Sequence, residues 1–300
     1  MSLNRDIGIR EAERHPRRLL EGLLYSSVFI SCCGLALTAE TYLLAGLPVS
    51  WAMAVFVFLA TLFTYNLSSV QSIVRRPRQS INRHDPVWGQ RHKRELAVLG
   101  LLSIAMAVGV YFWFGLRVDW WFLLHLAIIS VGYTVPVLYK QRRVRPLRSV
   151  PLLKVFLIAY VWAVVTAMLP LLDAGMDVWQ PETLWLFLRR FLFILALALL
   201  FDIRDFSYDR NMNTLTFPGW IGVRKTKLLS LGLLGLYMLV VLASGEAGVI
   251  LWALLASALG AAVIVWRSAE NRPRAYFAIL ADGAMLLHAG LVVLATVVAG

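Results

Sequence analysis

Asp202, Asp205 and Asp209 follow directly on a long apolar run, in the order Phe201-Asp202-Ile203-Arg204-Asp205-Phe206-Ser207-Tyr208-Asp209. On a helix, steps of three and seven residues keep all three carboxylates within about 60° of one face. Arg204, Arg210, Arg224, Lys225 and Lys227 lie close by in sequence. Carboxylates beside excess positive charge suit a Mg²⁺-bridged phosphate or diphosphate, because Mg²⁺ takes a few carboxylates together with phosphate oxygens. The plainer reading is a solvated loop of balanced charge. Against it stand the regular spacing and the position at the end of a membrane-length run, where carboxylates are costly unless a cation meets them. A turn-rich stretch, Asn211 to Gly219, follows. Gly222-Val223-Arg224-Lys225-Thr226-Lys227 then opens the next apolar run, and backbone amides at such a start, with Arg224 and Lys225, form an anion site.

These residues must be positioned by membrane helices. The chain is 60% hydrophobic, 15% charged and has a mean hydropathy of +0.72, which excludes an ordinary soluble domain. Apolar runs of sufficient length fall at about 19–46, 48–74, 95–116, 119–139, 151–172, 183–201, 226–244, 247–267 and 275–299. The expected architecture is therefore all-α: a short polar segment (1–18), then one bundle of nine spans (19–300) with a central cavity open to the cytoplasmic side. The first run lacks a small-x-small cleavage site and reads as a retained span.

Charge sets the expected orientation. With the N-terminus inside, the inner segments hold 26 of the 29 Lys and Arg, while the outer loops hold Asp119, Asp173, Asp177 and Glu182. That bias predicts an N-in, C-out protein, and with no targeting segment visible a plasma membrane is the simplest expected location. The net charge of +12 is thus a topology signal, and no nucleic-acid motif accompanies it. The adjacent Cys32 and Cys33 suit packing and no disulfide framework. The long loops are all inner ones, so function is expected at that face.

The motif around Asp202 resembles the second aspartate-rich motif of the UbiA-type intramembrane prenyltransferases: Asp-x-x-Asp-x-x-x-Asp, then the Thr214-Leu215 step, a glycine, and the Lys225-Thr226 entry to the next span. Tyr133-Thr134-Val135-Pro136, followed by basic residues and Lys154, is similar to the family's Tyr-x-x-Pro region after its fourth helix. The resemblance implies nine helices, aspartate motifs at the cytoplasmic face, Mg²⁺ as cofactor, and a prenyl diphosphate and a lipid-soluble, aromatic acceptor as partners. It implies that Asp202, Asp205 and Asp209 bind the metal. Arg204, Arg210, Lys225, Arg148 and Lys154 are then the candidates for the diphosphate, with Asn66, Tyr133 and Tyr208 as further substrate contacts.

One departure stands out. The family's first motif, Asn-Asp-x-x-Asp-x-x-x-Asp, falls on Asn66-Leu67-Ser68-Ser69-Val70-Gln71-Ser72-Ile73-Val74, so Leu67, Val70 and Val74 stand where carboxylates belong. One metal site is expected instead of a pair, with Arg75, Arg76 and Arg83 as auxiliary phosphate ligands and Asp85 as a possible substitute carboxylate. The alternative function is a noncatalytic relative that binds an isoprenoid or lipid phosphate, or scaffolds a membrane partner. Among other polar residues, Arg189 and Arg190 are expected to snorkel outward or to lie along the interface, and Glu40 to be interfacial. His125 and His288 are expected to be buried and hydrogen-bonded. Asp282, about two turns into the last span, either lines the cavity or ties helices together.

Overall fold

The computed structural model describes residues 22, 26–75, 92–134, 136–140, 143–146, 150, 152–211, 214–273 and 275–299; of these, the side chains of 68–75, 131, 133, 134, 136–140 and 143–146 are not described. The long helices are α1 (Val28–Leu44), α2 (Trp51–Arg75), α3 (Lys93–Trp113), α4 (Trp120–Thr134), α5 (Leu153–Asp173), α6 (Pro181–Asn211), α7 (Val223–Ala243), α8 (Gly248–Arg267) and α9 (Tyr276–Ala299), and a short helix, Phe217–Ile221, precedes α7. Helices α3 and α5 to α9 are long and apolar enough to cross a membrane. The apolar parts of the other three, Val28–Leu44, Trp51–Leu67 and Trp120–Ser130, are shorter.

The fourth expected run is cut short. Helix α4 ends at Thr134, and Pro136–Lys140 pairs antiparallel with Arg143–Pro146. Proline has no N–H to continue a helix and disfavours helical geometry in the residue before it, so Pro136 ends the span and leaves an extended exit. This hairpin is the departure from an all-helical chain among the described residues.

Helix α6 is the axis of the fold. Leu192 to Leu200 are buried without a break, a pattern that only a helix enclosed on every side shows. Helices α5 and α7 flank it, α7 leads to α8 and α8 to α9, and α1 bridges α9 to α2, on which α3 packs. The cluster around α6 joins Leu37 of α1, Trp162 of α5, Tyr237 of α7, Leu254 of α8 and Phe277 of α9. Lipid is as apolar as these side chains, so close approach and polar contacts must hold the helices together. Gly34 lets α1 approach Thr61 of α2, and a methyl at Gly260 of α8 would meet Leu287 of α9 at 3.0 Å. Ser230 of α7 donates to the carbonyl of Ala196 at 2.7 Å.

Two helices contain π turns, Val164–Met168 in α5 and Tyr276–Ala281 in α9. The first is explained by its sequence. Pro170 cannot donate, which frees the carbonyl of Thr166, and the Thr41 hydroxyl of α1 fills it at 2.7 Å.

Candidate functional site

The three carboxylates share one helix because α6 continues past the apolar run to Asn211. Opposite them, Lys154 sits in the first turn of α5. The start of that helix is tied to the segment after α6, since Leu152 N–H donates to Leu215 O at 3.4 Å. Leu152 takes a left-handed conformation, φ +60°, unusual for a branched residue and a sign of local constraint.

Lys154 Nζ donates to Asp202 Oδ1 at 2.9 Å and lies 3.9 Å from Asp209 Oδ2. The two-turn spacing read from the sequence thus lets one ammonium serve two carboxylates. The Asp202 side chain is only 2% exposed, whereas that of Lys154 is 21% exposed. Asp205 has a different partner. The Arg204 guanidinium grips it with Nε to Oδ1 at 3.0 Å and Nη2 to Oδ2 at 2.8 Å, a two-pronged pair. The same guanidinium lies 4.9 Å from the centre of the Phe201 ring and interacts electrostatically with Asp282 and Asp209.

The site therefore straddles α6. Asp202 and Asp209 face α5. Arg204 and Ser207 leave the helix on the opposite side. There the Ser207 hydroxyl donates to Glu270, and Arg204, Ser207, Glu270 and Asn271 line an open depression of about 420 Å³. Asp282 enters from α9 just after its π turn. Its N–H donates to Phe277 O at 3.2 Å, and its carbonyl accepts from Cys33 Sγ of α1 at 3.4 Å.

Of the remaining expected residues, Arg210 and Lys225 are exposed and Tyr208 is half-buried at this end of α6. Asn66 is fully buried, and its Oδ1 accepts from the Ser27 hydroxyl at 3.2 Å. The residue that reaches α5 is its neighbour Tyr65, whose hydroxyl accepts from Trp162 Nε1 at 3.2 Å. Arg76, Arg83, Asp85 and Arg148, and the side chains of Arg75 and Tyr133, lie outside the described residues.

Among the described residues, no three His, Cys, Asp or Glu side chains converge closely enough to cage a metal ion. The donor set does fit a Mg²⁺ that arrives with its phosphate. Carboxylates at one helix end are held beside a lysine and an arginine, and Mg²⁺ is ordinarily bound by one or two carboxylates plus phosphate oxygens.

The opposite end of α6 corrects three expectations. Arg190 does not snorkel. It is buried, donating to Glu40 Oε2 at 3.1 Å, to Leu37 O at 3.2 Å and to Thr41 Oγ1 at 3.1 Å. Glu40 is fully buried, so it is not interfacial, and His288 Nδ1 lies 2.9 Å from its other oxygen. Arg189 pairs with Glu246 at 2.7 Å. The reason is α6's central place: an arginine on an enclosed helix meets other helices before it can reach water. His288 is buried and bonded to the Tyr237 hydroxyl at 2.8 Å, as expected. His125 is exposed instead of buried, because α4 packs only lightly on α2 and α5.

Sequence reasoning did not single out Ser207 or Glu270. A usable signal existed: Glu270 is the one acid in the otherwise basic segment 267–274.

Residues 82–281 match the model of the UbiA prenyltransferase family. Two solved structures resemble the fold. A digeranylgeranylglyceryl phosphate synthase of membranes is 12% identical, with a TM-score of 0.57 over 94% of this chain and 98% of that one. The apo structure of a UbiA homologue from Aeropyrum pernix K1 is 15% identical, with a TM-score of 0.56 over 91% of this chain and 98% of that one. No protein of curated function matches.

Proposed function

This chain is a multi-pass membrane protein of the UbiA prenyltransferase family, and from that premise we propose that it carries out Mg²⁺-dependent transfer of an isoprenyl group from a prenyl diphosphate to a lipid-soluble, aromatic acceptor within the membrane. The observation that carries this reading is the grouping of Asp202, Asp205 and Asp209 with Lys154 and Arg204 at one end of the central helix.

In the reaction, the allylic C–O bond breaks and its electron pair leaves with the diphosphate. The ring of the acceptor attacks the cation, and a ring proton is then lost. Mg²⁺, held by Asp202, Asp205 and Asp209, would supply charge stabilisation to the leaving diphosphate. Lys154 and Arg204 meet phosphate oxygens, with Arg210, Lys225 and Arg148 as further cations and Arg75, Arg76 and Arg83 as auxiliaries. The guanidinium fork of Arg204 suits a phosphate as well as it suits Asp205. Asn66, Tyr133 and Tyr208 complete the substrate contacts. The apolar surroundings keep water from the allylic cation, and aromatic faces attract it. In this proposal all nine helices span a plasma membrane, the N-terminus is cytoplasmic and the C-terminus outside. The Asp202 end opens to the cytoplasm, and residues 19–300 form one transferase domain after a cytoplasmic segment 1–18.

A second reading is favoured by the loss of carboxylates at Leu67, Val70 and Val74. Here the protein holds an isoprenoid or a lipid phosphate, or scaffolds a membrane partner, without turnover. Binding of geranyl and farnesyl diphosphate to the detergent-purified protein, with and without Mg²⁺, separates the two. Binding that needs both Mg²⁺ and Asp205, tested with Asp205→Asn, supports the enzyme. Absence of binding gives first place to the noncatalytic reading.

A further inference from the structure

The depression between the end of α6 and the loop that joins α8 to α9 brings opposite charges to one open space. Its walls are Arg204 and Ser207 from α6 and Glu270 and Asn271 from the loop, around about 420 Å³. It thus offers one cation, one anion, a hydroxyl and an amide. The grip of Arg204 on Asp205 takes Nε and Nη2, which leaves Nη1 for a second acceptor. The guanidinium therefore stands between the aspartate site and this depression. The Ser207 hydroxyl donates to Glu270 Oε1, which ties the carboxylate to α6 and leaves Oε2 for a donor. Ser207, Glu270 and Asn271 are exposed, so a ligand enters without rearrangement.

The depression lies at the depth of lipid headgroups. From Thr183 to Asp202, α6 covers about 28 Å, nearly the whole hydrocarbon core, so Arg204 and Ser207 stand just beyond it. Trp266 is 68% exposed at the end of α8, immediately before the loop, and Trp220 is 62% exposed just before α7. Exposed tryptophans at the ends of spans mark the headgroup layer. Leu259, Val263 and Trp266 form an exposed apolar strip along one face of α8 that runs up to the loop, a track for acyl chains. The loop is held firmly: Lys227 of α7 donates to Ser268 O at 2.8 Å, Arg272 Nε donates to Arg267 O at 3.2 Å, and the Arg272 guanidinium lies 5.6 Å from the centre of the Tyr276 ring.

Arg204, Lys227 and Arg272 draw any phosphate at this depth. Glu270 sets the choice among lipids. It repels a headgroup of purely negative charge and forms a charge-assisted hydrogen bond with an ammonium. A quaternary ammonium has no N–H to give it. We propose that this depression binds a zwitterionic phospholipid with a primary ammonium, phosphatidylethanolamine: its phosphate meets Arg204 Nη1 and the Asn271 amide, and its ammonium meets Glu270.

The test is native mass spectrometry of the detergent-purified full chain titrated with phosphatidylethanolamine, phosphatidylcholine or phosphatidylglycerol of identical acyl chains. Wild type should bind one phosphatidylethanolamine about tenfold more tightly than either other lipid, the size expected of one hydrogen bond to a charged group. Glu270→Gln should weaken phosphatidylethanolamine and strengthen phosphatidylglycerol until the two bind alike. Ser207→Ala unties the carboxylate and should narrow the same gap, which keeps the test alive should Glu270→Gln not fold. Soluble phosphoethanolamine should displace the lipid only far above the concentration at which the lipid itself binds. Equal binding of the three lipids by wild type overturns the inference, as does a preference for phosphatidylethanolamine that survives Glu270→Gln or, in its place, Ser207→Ala. Displacement by phosphoethanolamine at the lipid's own concentration overturns it too, since the ligand would then be a soluble zwitterion. No prenyl diphosphate enters the experiment, so its outcome is independent of the proposed function.

Discussion

The two ends of α6 both carry charge in an apolar setting, yet they are built on opposite plans. At Arg190 the charges are sealed. Arg190, Glu40 and His288 are each no more than about a twentieth exposed, their partners come from α1, α7 and α9, and the space beside them is only about 10 Å³, barely the room one water needs. At Asp202, about 18 Å further along the helix, only Asp202 itself is enclosed: the side chains of Asp209 and Asp205 are 13% and 18% exposed, that of Lys154 21% and that of Arg204 30%. A sealed, mutually paired set has nothing to offer a ligand. A set whose cations reach water can trade a carboxylate for a phosphate. The same residue types thus serve as a fastening at one end and as a site at the other.

The largest effect should come from breaking the sealed end. Glu40→Ala leaves the Arg190 guanidinium buried without a counter-charge, which costs about 3–5 kcal/mol. Thermal unfolding in detergent should show that loss, together with a matching loss of purified folded protein. A variant as stable as wild type would mean that water reaches Arg190 and that the two ends are not different in kind. Replacing both partners with apolar residues, Glu40→Leu with Arg190→Met, should recover much of the stability, since a buried pair is costly to split but often neutral to remove.

Lys154→Met is the corresponding break at the open end. Asp202 loses its close partner, but water and neighbouring cations reach the gap left by a half-buried lysine. The expected cost is about 1–3 kcal/mol, smaller than for Glu40→Ala, and prenyl diphosphate binding should weaken by more than the stability change explains. If Lys154→Met destabilised the protein as strongly as Glu40→Ala while binding held, the open end would be a second fastening.

How far these differences could be read from the chain depends on the range of the forces involved. Apolar run length is local, and it located most helix ends to within a few residues; the exceptions are α4, which Pro136 ends early, α1, which starts only at Val28, and α6, which continues past its apolar run to Asn211. The spacing of Asp202, Asp205 and Asp209 is also local, and the helix carries it as expected. The pairing of Lys154 with Asp202 was legible only as two members of one candidate set. The bond itself depends on how α5 starts, through a left-handed Leu152. Glu40 and Arg190 are 150 residues apart, and nothing in either neighbourhood says that α1 lies against α6. Each therefore looked like a residue at the edge of its own span. Asp282 was ambiguous for a related reason. A π turn shifts the helical phase by one residue, so a wheel drawn with regular spacing aims its side chain wrongly.

The smallest of the predicted effects isolates one bond of the sealed end. Tyr237→Phe removes the hydroxyl that meets His288 Nε2 at 2.8 Å and changes nothing else in shape. A single buried hydrogen bond contributes about 1 kcal/mol, and the histidine nitrogen left without its partner sets the upper side of that figure. His288 keeps Glu40 on its other nitrogen, so the ring should stay in place and the Glu40–Arg190 pair with it. Unfolding should therefore shift slightly, while the Mg²⁺ dependence and affinity of diphosphate binding should not move at all. A changed affinity in Tyr237→Phe would show that the ends of α6 communicate, and the sealed cluster would then belong to the site instead of merely supporting the helix that carries it.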